Sequence, residues 1–319
     1  MRGGRQDQPV PGLTSKLRVL MNSTLFVLAS LDGLSYAALV FLVSVGLSLI
    51  FGVLRVVNVA HGSLYAFGAY LAATLSLLVT PISPWLTYPA LLVASLVIGI
   101  VAGGLIERLL LSRVYGREEV LQLLITFAVF MIMDNLQRMI WGVQPIYAAE
   151  PLKLLPNVSI FGVSYTSYQV IVLPIVAVLA LFGLRYFLRR TLMGSVILAV
   201  TEDREAATAI GINAQRVYLI TFIIGATLAA LGGALASPTT SLVPGMGTEM
   251  IVLSFAVAAT AGLGQIEGTA ITALAIGMAR AFVIYLQPEF EVLVPYLIMV
   301  AVLLVRPEGL FGATKLRKI

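Results

Sequence analysis

Long apolar runs recur along nearly the whole chain, and they settle the class of fold before any motif is considered. Several exceed the about 18 residues that a helix needs to cross a bilayer. Inside lipid no water satisfies backbone N–H and C=O groups, so only helices and closed barrels can span it. The runs are not alternating ten-residue segments, which sets a barrel aside. The expected fold is all-α, a polytopic helical membrane protein with one transmembrane domain over residues 1–319. Composition agrees: 60% of the 319 residues are hydrophobic and 11% are charged, against about 25% charged in an ordinary soluble domain.

The apolar segments fall at roughly 24–53, 52–73, 88–111, 120–141, 168–188, 216–237, 249–264, 267–286 and 291–306. They make eight or nine membrane segments, depending on whether the short ones cross or dip back. Residues 1–20, with Arg2, Arg5, Lys16 and Arg18 among Pro and Gly, read as disordered or as an interfacial helix. Met1 to Ser23 does not read as a cleavable signal peptide, because it lacks a clean apolar core and runs into a span.

The net charge of +5 lies mostly at segment ends, so it reads as an orientation signal and not as a nucleic-acid surface. Arg108, Arg113 and Arg117 mark one loop, Arg185, Arg189, Arg190, Arg204 and Arg216 another, and Lys315, Arg317 and Lys318 the tail. All three are cytoplasmic if the loop 142–167, with Lys153 alone, is outside. A nine-span count then puts the amino terminus outside despite its four basic residues. With no cysteine and a single histidine, the chain has no disulfide, thiolate site, cysteine nucleophile or histidine metal cluster. No G-x(4)-G-K-[ST] phosphate loop is present, and no triad or carboxylate pair stands out. Catalytic and metal residues are therefore none.

One stretch breaks the apolar pattern with charge: Arg189 to Arg216, RRTLMGSVILAVTEDREAATAIGINAQR. Thr201 reads as the cap of a short helix of about 9 residues, with Glu202 and Asp203 in its first turn and Gly211 as a left-handed C-cap. So short a helix needs something to pack against, and at a membrane surface it is shaped to dock into a partner's groove. The alternative is a solvated loop with an incidental helical turn.

Two other stretches share a design, Gly46–Ala73 and Phe255–Phe282. Each holds a short apolar helix, an interruption, and a helix rich in small residues. The first interruption carries Arg55, Asn58 and His61, followed by Gly62 and Tyr65; the second is AGLGQIEG, with Gly262 and Gly264. A broken helix in each half points to a transporter's substrate path. Close helix packing is the competing reason for small residues.

These stretches carry a resemblance. The core Glu205-Ala206-Ala207, followed by Gly211, resembles the EAA loop of ABC-importer permeases, which in that family forms the coupling helix seated in the ATPase. GLSLIFGVLRVVNVAHGSLYAFGAYLA resembles the first signature of the branched-chain amino-acid ABC-importer permeases, through Gly46, Leu47, Gly52, Val53, Asn58, Ala60, His61, Gly62, Tyr65, Gly68, Ala69 and Tyr70. Gly194, Ala199, Asp203, Arg204, Glu205, Ala206, Ala207, Gly211, Ile212 and Asn213 match the same family's coupling pattern, and AGLGQIEG and LLVRPEGLFG match its later motifs. The chain departs from the family at Ala261, Glu267 and Asp134-Asn135, which leaves the substrate open among branched-chain amino acids, other amino acids, urea and amides.

The resemblance implies a permease subunit in a prokaryotic inner membrane that is not itself an enzyme. It would assemble with two ATPase subunits, a second similar permease and an extracytoplasmic solute-binding protein. No cofactor belongs to this chain; ATP is used by the partner subunits. Glu202, Asp203, Arg204, Glu205, Ala206, Ala207 and Gly211 would form the ATPase coupling. Asn58, His61, Gly62, Tyr65, Gly262, Gly264 and Arg280 would line the translocation path. His61 suits a hydrogen bond to a nearby carbonyl as well as a place in the path. Asp134 and Arg138 are expected to pair with each other. Arg280 needs a partner inside its span, with Glu249, Glu267 or a substrate carboxylate as candidates, whereas Glu289 and Glu291 are expected to be wetted. For a zwitterionic substrate, N–H groups at a broken helix's start could meet the carboxylate. The rival is a secondary transporter driven by an ion gradient, which needs intramembrane carboxylates and no ATPase dock.

Overall fold

A computed structural model describes residues 23–312. The expectations for residues 1–20 and for Lys315, Arg317 and Lys318 lie outside the described residues. Seven helices among those residues are long and apolar enough to cross a membrane. The two expected segments at 249–264 and 291–306 correspond to helices of only 16 and 13 residues, Met246–Ala261 and Leu293–Val305.

In chain order, α1 is Ser23–Leu54 and α2 is His61–Val79. The next span runs from Pro84 to Arg113 as α3 (Thr87–Val97), a wider π turn and α4 (Gly104–Leu109). Next comes α5, Glu119–Trp141. The loop beyond it holds the short α6, Glu150–Lys153, and a hairpin of β1 (Asn157–Ile160) with β2 (Val163–Thr166), paired antiparallel from Asn157–Thr166 to Ile160–Val163. Then follow α7 (Leu173–Arg190), α8 (Leu192–Glu202), α9 (Arg204–Ala209) and α10 (Ala214–Ala236). The chain closes with α11 (Met246–Ala261), α12 (Ile266–Leu286) and α13 (Leu293–Val305).

The bundle has two faces. The β-hairpin marks one and the charged stretch 189–216 the other, separated by the whole length of α7. Helix α1 is 32 residues, about 48 Å at 1.5 Å per residue. It begins on the hairpin face, where Asp32 accepts hydrogen bonds from Tyr165 of β2 and Tyr285 of α12. Burial, and then the Asp32 carboxylate, pushes the Tyr165 phenol up. Helix α12 runs antiparallel to α1, so that Gly277 meets Ala37 and Gly264 meets Gly52. The basic ends of the spans gather on the face opposite the hairpin, the basic face of the bundle.

At the centre α2 packs against α10, α3 and α11. Every residue from Ala60 to Tyr70 is buried. The reason is steric: a Cβ added to Gly68 would stand 2.3 Å from Ala230 O, and one added to Gly233 would stand 1.9 Å from Tyr65 O. Between helices in lipid the drive to associate comes from packing and interhelical hydrogen bonds, and small residues let backbones come this near. Outward faces are apolar instead, as with Leu92, Leu124, Phe182 and Leu304, because there lipid replaces water.

The helix α11 ends where the chain's last described turn begins. Leu310 N donates to Thr260 O at 2.8 Å and Phe311 N to Ala261 O at 2.9 Å, satisfying carbonyls that a helix end leaves open. Phe311 also sits on Gly268. The motifs AGLGQIEG and LLVRPEGLFG, far apart in sequence, are thus two halves of one helix cap.

Overpacking a filled interior costs about 1–3 kcal/mol or more. Gly233→Val is therefore expected to lower the thermal stability of the detergent-solubilised protein and its folded yield. Gly183→Val, at a site with nothing within 4 Å, should leave both unchanged in the same gel-filtration thermal-shift assay.

Candidate functional site

The charged stretch builds a rod on the basic face. Thr191 caps α8, its Oγ1 accepting from Gly194 N at 3.0 Å. Helix α8 continues to Glu202, so neither Glu202 nor Thr201 belongs to the helix that follows. Thr201 bonds back to Ile197 O at 2.8 Å and does not cap. The cap is Asp203, whose extended backbone breaks the rod and whose Oδ1 accepts from Ala206 N at 3.0 Å. The expected nine-residue helix is α9, of 6 residues, because a carboxylate acceptor one turn inside the stretch displaces the hydroxyl as cap.

Beyond α9 the backbone reverses through Gly211 at φ +93°. Ile212 N donates to Ala207 O at 3.1 Å and Gly211 N to Thr208 O at 3.0 Å, the paired bonds of a Schellman turn. Asn213 then caps α10, with Oδ1 accepting from Arg216 N at 3.1 Å. Each letter of Gly211-Ile212-Asn213 therefore has a duty: reversal, apolar anchor, new cap. Asp203, Arg204, Glu205 and Ala206 are exposed while Ala207 is buried. Ile210 stands 79% exposed beside them and Leu192 89%, so that apolar and charged side chains share one exposed surface.

The rod is anchored to the bundle on one side. The Arg204 guanidinium lies 5.5 Å from the Tyr218 ring, which meets Tyr115 edge to face at 4.9 Å. Tyr115 donates at 3.0 Å to Glu107 Oε1, a carboxylate only 2% exposed. Burial first, and then Glu107, pushes the Tyr115 phenol up. Arg185 and Arg189 meet Glu267, in the first turn of α12, at 3.2 and 3.1 Å. Glu107 escaped the sequence reading; its signal was a carboxylate set within the last turn of a span.

After Leu54 the chain turns at Arg55, whose φ is +55°, and re-enters the bundle. Helix α2 starts where His61 Nε2 meets Val43 O at 3.0 Å, about 16 Å along α1 from Leu54. Gly62 packs against Gly247 of α11. Asn58 is fully buried with neither amide atom paired. Gly264 N donates to Ser48 Oγ at 3.0 Å, while Gly262 turns at φ +102° under the C-terminal cap. Arg55 and Val57 of the first interruption share a cavity of about 590 Å³ with Leu263 of the second.

A second cavity, of about 500 Å³, lies toward the hairpin face and is lined by Tyr65, Glu249 and Arg280 among others. The structure thus puts Tyr65 and Arg280 together and leaves His61, Asn58 and Gly62 in the packed layer beneath. Arg280 donates to Glu291 and lies 4.0 Å from the Tyr36 ring. Its partner is neither Glu249 nor Glu267, and Glu291 is not simply wetted: the turn Pro288–Phe290 folds it back over α12. Asp134 and Arg138 pair at 2.9 Å as expected. Neither the start of α2 nor that of α12 lines this second cavity.

Residues 29–303 match the model of the family described as branched-chain amino acid transport system / permease component. The chain is 28% identical over 302 residues to the high-affinity branched-chain amino acid transport system permease protein LivH of Escherichia coli, covering 92% of this chain and 98% of that protein. It is 28% identical over 298 residues to BraD of Pseudomonas aeruginosa, named in the same terms, covering 90% and 96%. A probable LivH of the archaeon Methanocaldococcus jannaschii is also 28% identical, over 295 residues, covering 87% and 90%. No solved structure matches the chain. With apolar helices of spanning length and a match over most of its residues, the chain belongs to the branched-chain amino acid transport system / permease component family, and is a multi-pass membrane permease rather than an enzyme.

Proposed function

We propose that the chain is the inner-membrane permease subunit of an ATP-driven importer for branched-chain or related amino acids, working by alternating access. The observation that carries this reading is the exposed, doubly capped α9, Arg204–Ala209, held between two spans on the basic face, which we read as cytoplasmic. Two ATPase subunits would receive Glu202 to Ala207 and Gly211 in a cleft, a second similar permease would complete the path, and an extracytoplasmic solute-binding protein would deliver substrate. ATP and its chemistry belong to the ATPases; no cofactor is assigned to this chain.

Residues 1–319 are read as one domain with 189–216 as its coupling segment. Nine membrane segments follow if α11 and α13 are counted as short segments, with a broken helix in each half at 55–60 and 262–265. The path would run from the outer cavity at Tyr65 and Arg280, past Gly62, His61 and Asn58, to the inner cavity near Gly262 and Gly264. The reason that layer can gate is physical: it is packed without a channel, and two interruptions let short helices tilt against α1 and α10.

Force reaches the bundle only if the rod is stiff. In reconstituted vesicles Gly211→Pro is expected to abolish ATP-driven amino-acid uptake, since proline cannot adopt φ near +90° and lacks the N–H that Thr208 O accepts. Gly211→Asn should retain most uptake, and both variants should insert and assemble normally. Uptake that persists when the ATPases are absent would overturn the proposal in favour of an ion-driven carrier.

Removing a helix cap costs about 1 kcal/mol, a large loss for a helix of 6 residues. Asp203→Ala should therefore lower uptake several-fold at unchanged permease abundance, and Asp203→Ser should restore it. Glu205→Lys, by reversing charge on the exposed face, should uncouple ATP hydrolysis from uptake without changing thermal stability.

A further inference from the structure

The outer cavity carries charge of both signs, and the carboxylate of Glu249 makes no ion pair among the described residues. Two carboxylates, Glu249 and Glu291, face one guanidinium there, which leaves one negative charge unbalanced. Arg280 is backed by the Tyr36 ring at 4.0 Å and donates to a single acceptor, Glu291. A guanidinium has five N–H donors, so most of its edge is unspent. Met250 and Leu253 of α11 supply apolar surface one and four residues beyond Glu249, and the volume of about 500 Å³ suits a small solute.

From this we infer that the outer cavity is a transfer site for a free α-amino acid in its zwitterionic form. Arg280 takes the substrate carboxylate in competition with Glu291, Glu249 takes the ammonium, and the apolar side chain lies against Met250 and Leu253. Arg280 and Glu249 are binding residues; Glu291 is a positioning residue that occupies Arg280 when substrate is absent. Competition keeps the site weak, and a site that must pass its ligand onward has to be weak. An acid without an amine meets the unbalanced Glu249 and is refused. The inference rests on the amino-acid permease reading above and gives it a ligand geometry.

The absence of cysteine from this chain allows one reporter thiol in it, Met250→Cys, whose labelling in the assembled transporter in vesicles is read on the separated permease band. Its rate of maleimide labelling is followed with L-leucine, with isoamylamine (the same skeleton without the carboxylate) and with 4-methylpentanoate (without the amine). L-leucine is expected to slow labelling, isoamylamine to do so more weakly, and 4-methylpentanoate to have no effect. Glu249→Gln, at an exposed position, should raise the L-leucine concentration for half-protection at least about tenfold. The double variant Arg280→Gln/Glu291→Gln, which removes the pair without stranding a charge, should abolish protection. Labelling indifferent to all three probes, or equal protection in Glu249→Gln, overturns the inference. ATP-driven leucine uptake by the wild type in the same vesicles separates the two readings: uptake without protection sinks the site alone, whereas no ATP-driven uptake sinks the permease assignment beneath it.

Discussion

Helix α2 touches its neighbours through backbone more than through side chains, and the rest of the architecture follows from that contact. Gly68 lies on Ala230, Gly233 on the Tyr65 carbonyl, and Gly62 on Gly247. Lipid tails are as apolar as leucine, so helices in a bilayer gain little by hiding leucines from them. Dispersion between close-packed backbones must hold the centre instead, and it is won only where side chains are absent. The apolar bulk is accordingly displaced outward, to faces such as Leu124 and Leu304.

With α2 fixed at that depth, the chain between Leu54 and His61 has to climb back into the bundle without helical hydrogen bonds. The cost of irregular backbone in a membrane is met locally. His61 meets Val43 O, and Thr126 Oγ1 donates to Val57 O at 3.2 Å. The second interruption is treated differently, by bringing Leu310 and Phe311 to the end of α11. One break is held by side chains of neighbouring spans, and the other by a distant piece of the same chain. Both border the same cavity.

Charges in the chain sort by the same logic. On the basic face most are wet and weakly paired, as Glu267 is with Arg185 and Arg189, with the buried Glu107 apart; exposed pairs of this sort contribute about 0.2–1 kcal/mol. Their value lies in geometry, since they tie α7, which leads into the rod, to the helix that follows the second break. Nearer the hairpin face some are partly covered and have a specific partner, as Asp32 has Tyr165 and Tyr285, and Arg280 has Glu291. Glu249 and Glu289 make no ion pair among the described residues, and of the two Glu249 lines a cavity.

Periodicity and composition determined that the chain is a helical membrane bundle, which face carries the charges, and where regular helix must stop, because lipid permits one backbone solution and glycine and charge mark its interruptions. The letters around Gly211 likewise carried the C-cap, since only a residue free to take positive φ can close that turn. What sequence could not decide was which groups meet. The cap at Asp203 in place of Thr201, the pairing of Arg280 with Glu291, the buried Glu107 under Tyr115, and the meeting of AGLGQIEG with the closing turn all depend on separations across the bundle. Linear order holds no record of those distances; they are set only when backbones pack to contact.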